Sequence, residues 1–130
     1  MQTEFFLLAD HVQISEGKLY LSGGGWSHLT VDRLPIRQRV GLAVGVRVGP
    51  EDAGGRHLFR IDMQTPGGLL ELGGGHLETE RIEGPGDIFF IAITADLPIE
   101  SAGEHYLILR TNGSESKRIA FQVTAPPRAA

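Results

Sequence analysis

Residues 87–123 constrain the fold of this chain more than any other stretch. Within 87–97, Phe89, Ile91, Ile93 and Leu97 share one parity, and Ala92, Thr94 and Asp96 share the other. A period of two describes a strand with one apolar face. Pro98 has no backbone N–H to give a ladder, and Gly103 accepts the angles of a corner, so the strand is expected to stop there. Residues 104–111 resume the pattern. Asn112-Gly113 then supplies a hairpin turn, because a type I′ turn needs positive φ at both central residues. Ile119, Phe121 and Val123 alternate with Arg118, Ala120, Gln122 and Thr124. The segment reads as strand, corner, strand, tight turn, strand.

The rest of the chain repeats this vocabulary. Residues 4–9 are apolar at both parities, as in a central strand or one covered on both faces. Val12 and Ile14 lead to a turn at Ser15-Glu16-Gly17-Lys18, after which Leu19 and Leu21 alternate with Tyr20 and Ser22. In 37–48, Leu42, Val44, Val46 and Val48 face inward, and Ala43 and Gly45 face outward beside Arg47. Small outward residues allow something to approach the sheet closely. Phe59, Ile61 and Met63 alternate with Arg60, Asp62 and Gln64 as a half-exposed strand. Residues 69–72 are ambiguous and are interrupted by Gly73-Gly74-Gly75. No segment holds a helical period. Eight or nine strands argue for two packed antiparallel sheets, in an immunoglobulin-like or related Greek-key β-sandwich. Residues 1–124 form the expected domain and 125–130 a flexible tail. Tyr106, after a corner and two residues before Ile108, suits either a tyrosine corner, whose hydroxyl ties the turn to upstream backbone, or an ordinary strand tyrosine.

Composition narrows the functional classes. A chain of 130 residues, 41% hydrophobic and 22% charged, can bury a core without metal or disulfide. With no cysteine, thiolate nucleophiles and Cys-ligated metal sites are excluded. A formal net charge of −4 disfavours binding to a phosphate backbone. No run approaches the roughly 18 apolar residues of a membrane helix, and the start lacks a basic leader. No nucleic-acid or membrane partner is expected, and the expected setting is cytoplasmic.

Motifs of chemistry are missing where they would be looked for. Gly23-Gly24-Gly25 is followed by His28, and Gly73-Gly74-Gly75 by Glu78, at the place where a dinucleotide fingerprint needs its last glycine. Gly17-Lys18 lacks the spacing of a phosphate-binding loop. His11, His28, His57, His76 and His105 form no ligand pair. No serine lies in a hydrolase elbow. Glu78, Glu80 and Glu83 read as a solvated face rather than an acid–base pair. Neither cofactor nor metal is expected.

Two surfaces remain. Trp26, the single tryptophan, follows three glycines; it either plugs one end of the sandwich or, with Tyr20 and His28, offers a platform for a small ligand such as a carbohydrate. If Ile108 faces the core, Leu107 and Leu109 face outward, and Ile88 and Phe90 do the same on another strand. An apolar outer face needs a cover. These four residues are the expected interface with a protein partner or a second copy.

Ala9-Asp10-His11-Val12-Gln13, Glu16-Gly17-Lys18-Leu19-Tyr20 and Gly23-Gly24-Gly25-Trp26 resemble the start of an uncharacterised bacterial family of small single-domain proteins. The end is similar as well, through a Leu-Pro-Ile segment, Gly103-Glu104-His105-Tyr106, Asn112-Gly113 and Phe121-Gln122-Val123, so the resemblance spans the chain. His11 stands where that family's opening has an aromatic. The resemblance implies an immunoglobulin-like sandwich in a bacterium and carries no functional residues. The expectation is therefore a non-enzymatic interaction or assembly module, with small-ligand binding as the alternative.

Overall fold

A computed structural model describes residues 1–52, 54–78 and 87–126. These hold the strands β1 (Gln2–Ala9), β2 (His11–Ser15), β3 (Lys18–Ser22), β4 (His28–Thr30), β5 (Ile36–Val48), β6 (Arg56–Thr65), β7 (Gly68–Glu78), β8 (Asp87–Ile99), β9 (Gly103–Thr111) and β10 (Ser114–Thr124), with one 3-10 turn at Pro50–Asp52. Glu80, Glu83 and the last four residues of the expected tail lie outside the described residues.

The strands form a three-stranded sheet in the order β1-β5-β8, a five-stranded sheet in the order β4-β10-β9-β6-β7, and the separate hairpin β2-β3. Pairing is antiparallel except where β4 runs parallel to β10. One core draws on both large sheets, from Leu8, Leu42, Val44 and Leu97 on one side to Met63, Leu107, Leu109 and Phe121 on the other, so the two sheets pack face to face. At one flank β1 runs beside β10, and Thr3 Oγ1 and Ser116 Oγ lie 2.6 Å apart. At the other flank stand the two edge strands, β8 and β7.

Turn chemistry follows the sequence. Asn112 and Gly113 have φ of 50° and 86°, the two positive values a type I′ turn requires. Glu16 and Gly17, at 52° and 72°, do the same for the β2-β3 hairpin. Three elements depart from expectation. β8 continues through Pro98, which pairs with Arg37; β8 is an edge strand, where a missing N–H on the free side costs the ladder nothing. β7 runs through Gly73-Gly74-Gly75 instead of breaking there, with a register shift opposite Ile61/Asp62. β1 is an edge strand rather than a central one.

The parity of β9 is also reversed. Leu107 and Leu109 are 0% exposed and belong to the core between the sheets. Ile108 is buried too, but on the outer face, where its cross-strand neighbours are Asp62 and Arg118. All three residues are apolar, so alternation along β9 cannot choose a face. The neighbouring strands choose it: Met63, in register with Leu107, is a core residue, while Asp62 must reach its arginine partners.

Candidate functional site

The outer face of the three-stranded sheet is built in rows, each crossing β1, β5 and β8. The register places Gln2, Arg47 and Ile88 in one row, Phe5, Gly45 and Phe90 in the next, then Leu7, Ala43 and Ala92, then Ala9, Gly41 and Thr94. The small residues expected to face outward on β5 do so, and the chain itself approaches them. Val12 of the hairpin sits against Gly41, where a Cβ would come within 2.8 Å of the Val12 nitrogen. Val12 forms a small second core with Ala9 and Ala43, edged by Phe5, Leu19 and Ala92. The Phe5 ring occupies the space a Gly45 side chain would need and reaches Phe90, with ring centroids 6.1 Å apart.

The hairpin covers only the two rows nearest its own base. Leu7, at the end of the second of these rows, is still 37% exposed; beyond them Ile88 is 40% exposed, and Phe5 and Phe90 are half-buried. Arg47 Nε donates to Glu4 Oε1 at 2.6 Å on the same face, a neutral ion pair at the patch border. Apolar residues are thus gathered on one sheet face beside a paired charge. Ile88 and Phe90 thus lie on the face expected of them. Leu107 and Leu109 do not, being sealed in the core of the other sheet, and the interface expected from all four is corrected accordingly. Phe5 and Leu7 share the face of Ile88 and Phe90 instead. Their signal was already in the sequence, since residues 4–9 are apolar at both parities.

Tyr20, Trp26 and His28 form no platform. Tyr20 stands exposed on the hairpin. Trp26 turns inward and packs edge-on against Phe121 at 5.9 Å, on the rim of the core. His28 lies on β4, where its Nε2 is 3.1 Å from Thr124 Oγ1. On the far side of Phe121, His105 stacks at 5.2 Å, and its Nδ1 donates to the Gly103 carbonyl at 3.0 Å. Trp26 is therefore a plug.

The outer face of the five-stranded sheet carries a polar network, with Leu58 and Leu69 exposed on the same parity. Asp62, 2% exposed, accepts from Arg110 Nε at 2.9 Å and from Arg60 Nη2 at 3.1 Å. Burial pushes the Asp62 carboxyl up, but the hydrogen bonds and charges of Arg110 and Arg60 outweigh it and hold the carboxyl below the usual aspartate value. Sequence reading placed Asp62 on a half-exposed strand and missed this buried pair. Tyr106 lies on that face and donates its hydroxyl to Glu104 Oε1 at 2.7 Å, beneath the Arg118 guanidinium. That bond raises the Tyr106 hydroxyl above its ordinary value. The hydroxyl does not reach upstream backbone, so Tyr106 is a surface strand tyrosine and no tyrosine corner forms. Among the described residues, no three His, Asp or Glu side chains gather as a metal site, and no helix is long and apolar enough to cross a membrane.

In three dimensions the chain is similar to part of the β-glucosidase of Listeria innocua solved in complex with glucose, at a TM-score of 0.55 and 9% identity, over 93% of this chain and 16% of that one. It is also similar to part of the Pseudomonas fluorescens alkylpurine DNA glycosylase AlkC bound to DNA containing an abasic site analog, at 0.47 and 11%, over 91% of this chain and 30% of that one. The chain spans less than a third of either protein, and the first likeness is one of fold. No curated protein matches the sequence. A family model matches residues 4–124, and the chain belongs to that family, a family of unknown function (DUF6941).

Proposed function

We propose that this chain is a non-enzymatic protein-interaction and assembly module that docks through the outer face of its three-stranded sheet. The observation that carries the proposal is the half-covered apolar face. The chain spends a whole hairpin covering Ala43 and Ala92, yet leaves Leu7 and Ile88 exposed and Phe5 and Phe90 only half-buried beside them. Removing such a face from water is favourable at about 25 cal/mol per Å², and a second protein surface is the simplest cover for it. The buried Asp62 carboxylate supports the same reading, because it is already committed to two arginines. A cytoplasmic setting belongs to this proposal.

The sandwich is, in the same reading, immunoglobulin-like. What supports it is strand order: β1-β5-β8 occupy the places of strands A, B and E, and β10-β9-β6-β7 those of G, F, C and C′, with the β2-β3 hairpin inserted after the first strand.

The test is solution mass for the wild type and for Ile88→Lys. The wild type is expected to associate and Ile88→Lys to shift it toward monomer. Association of equal strength in both proteins would remove the face from the account.

A further inference from the structure

We infer that β8 is a self-pairing edge: two copies of the chain join antiparallel along β8, fusing their three-stranded sheets into one of six strands. The inference rests on the assembly reading above and names its partner and geometry.

β8 pairs with β5 along its length, the β2-β3 hairpin packs on its outer face at Ala92, and among the described residues no strand pairs with its other side. In an antiparallel pair alternate residues turn their N–H and C=O groups away from the partner, so β8 presents a row of donors and acceptors that no strand among the described residues pairs. These groups call for another strand, not for a small molecule or a helix. Natural edges are usually blunted by charge, proline or a bulge. Residues 88–95 of β8 hold no charged residue and no proline, and their register with β5 is unbroken. Asp87 stands at one end of the strand, and Asp96 and Pro98 at the other. The other edges differ: β4 is three residues long, β1 carries Glu4 and lies beside β10, and β7 is glycine-rich with Glu71 and Glu78.

The partner must also match two faces at once. On β8 the outer parity holds Ile88, Phe90 and Ala92, and the inner parity holds Phe89, Ile91 and Ile93. A strand polar on either face would leave one of these sets against polar groups. β8 of a second copy is apolar on both, and in antiparallel pairing about a two-fold axis each face meets its own kind. Such pairing also sets the patch around Phe90 beside its symmetry mate, so the docking face continues across the seam.

The cleft at this flank fits the same geometry. An apolar cavity of about 270 Å³ opens between the two sheets, with Leu42, Ile93 and Ala95 on one wall and Phe59, Ile61 and Leu72 on the other. Its mouth lies between β8 and β7, where no strand among the described residues closes the sandwich as β10 closes it beside β1. A second copy along β8 places its own flank across that mouth.

The experiment measures mass and hydrogen exchange from micromolar to millimolar concentration in the wild type, Ile88→Lys, Ala95→Lys and Thr94→Lys. Ala95 is on the cleft-facing parity, so a lysine there is an inward-pointing edge charge that leaves the docking face intact. Thr94 is exposed on the outer parity and covers the case in which Ala95→Lys fails to fold. Edge pairing predicts a dimer whose residues 88–95 gain amide protection as concentration rises, and both edge variants weaken it by at least roughly tenfold. Association lost in Ile88→Lys but kept in both edge variants, with no added protection in β8, would overturn edge pairing and leave the docking face standing. Association untouched by Ile88→Lys would count against the face, and a monomer at every concentration would overturn both.

Discussion

Phe5 and Phe90 come from the two edge strands of one sheet and meet over Gly45 of the strand between them, with ring centroids 6.1 Å apart and planes tilted by 32°. The contact exists because position 45 has no side chain. A Cβ there would collide with the Phe5 ring itself. Gly45→Val should therefore eject Phe5 from the sheet face and cost about 1–3 kcal/mol by overpacking. Denaturant unfolding gives the cost, and NMR contacts between the two rings report the displacement. A variant of wild-type stability with the ring contact intact would show that Phe5 is not held by Gly45.

The buried carboxylate sets how the fold responds to acid. Asp62 is held below its ordinary value, so its folded-state value lies under the unfolded one of roughly 3.9. Its contribution is complete above the unfolded value and is lost as pH falls through the folded value. Asp62→Asn should cost about 1–3 kcal/mol at neutral pH. It should also flatten the loss of stability below about pH 4. Parallel acid titration curves for the two proteins would mean that Asp62 does not drive the transition.

Phe121 is the hub of one end of the core, with Trp26 edge-on to its ring and His105 stacked on it. Phe121→Ala should destabilise by about 3–5 kcal/mol. Because Trp26 is the single tryptophan, its emission should shift to the red as the plug loosens. Unchanged emission in a folded variant would contradict the packing described for Trp26.

Two lysine substitutions separate face from core. Leu109→Lys places a charge at a site that is 0% exposed and should unfold the protein. Ile88→Lys, at a site 40% exposed, should change stability by no more than about 0.5 kcal/mol. Thermal unfolding of the pair decides it, and equal losses would mean that Ile88 is not on an open face.

Most strands were legible in the sequence because they alternate against a clear polar set. β5 is the best case: Val44 and Val46 face the core, and Gly45 faces the approaching Phe5. β9 was misread because Leu107, Ile108 and Leu109 are all apolar, so periodicity carries no information about direction. Burial of Ile108 beneath a polar network depends on Asp62 and Arg118, which come from other strands and are invisible to a local pattern. β4 was missed because three residues in parallel pairing leave no alternation to see. The docking face was half legible. Ile88 and Phe90 could be placed by parity, but their neighbours Phe5 and Leu7 join them only through register with β5.

The most direct test of the account is the solution mass of the wild-type chain by light scattering across a concentration series. Assembly through the three-stranded sheet predicts a mass that rises from one chain toward two as concentration increases. A mass of one chain at every concentration would contradict it.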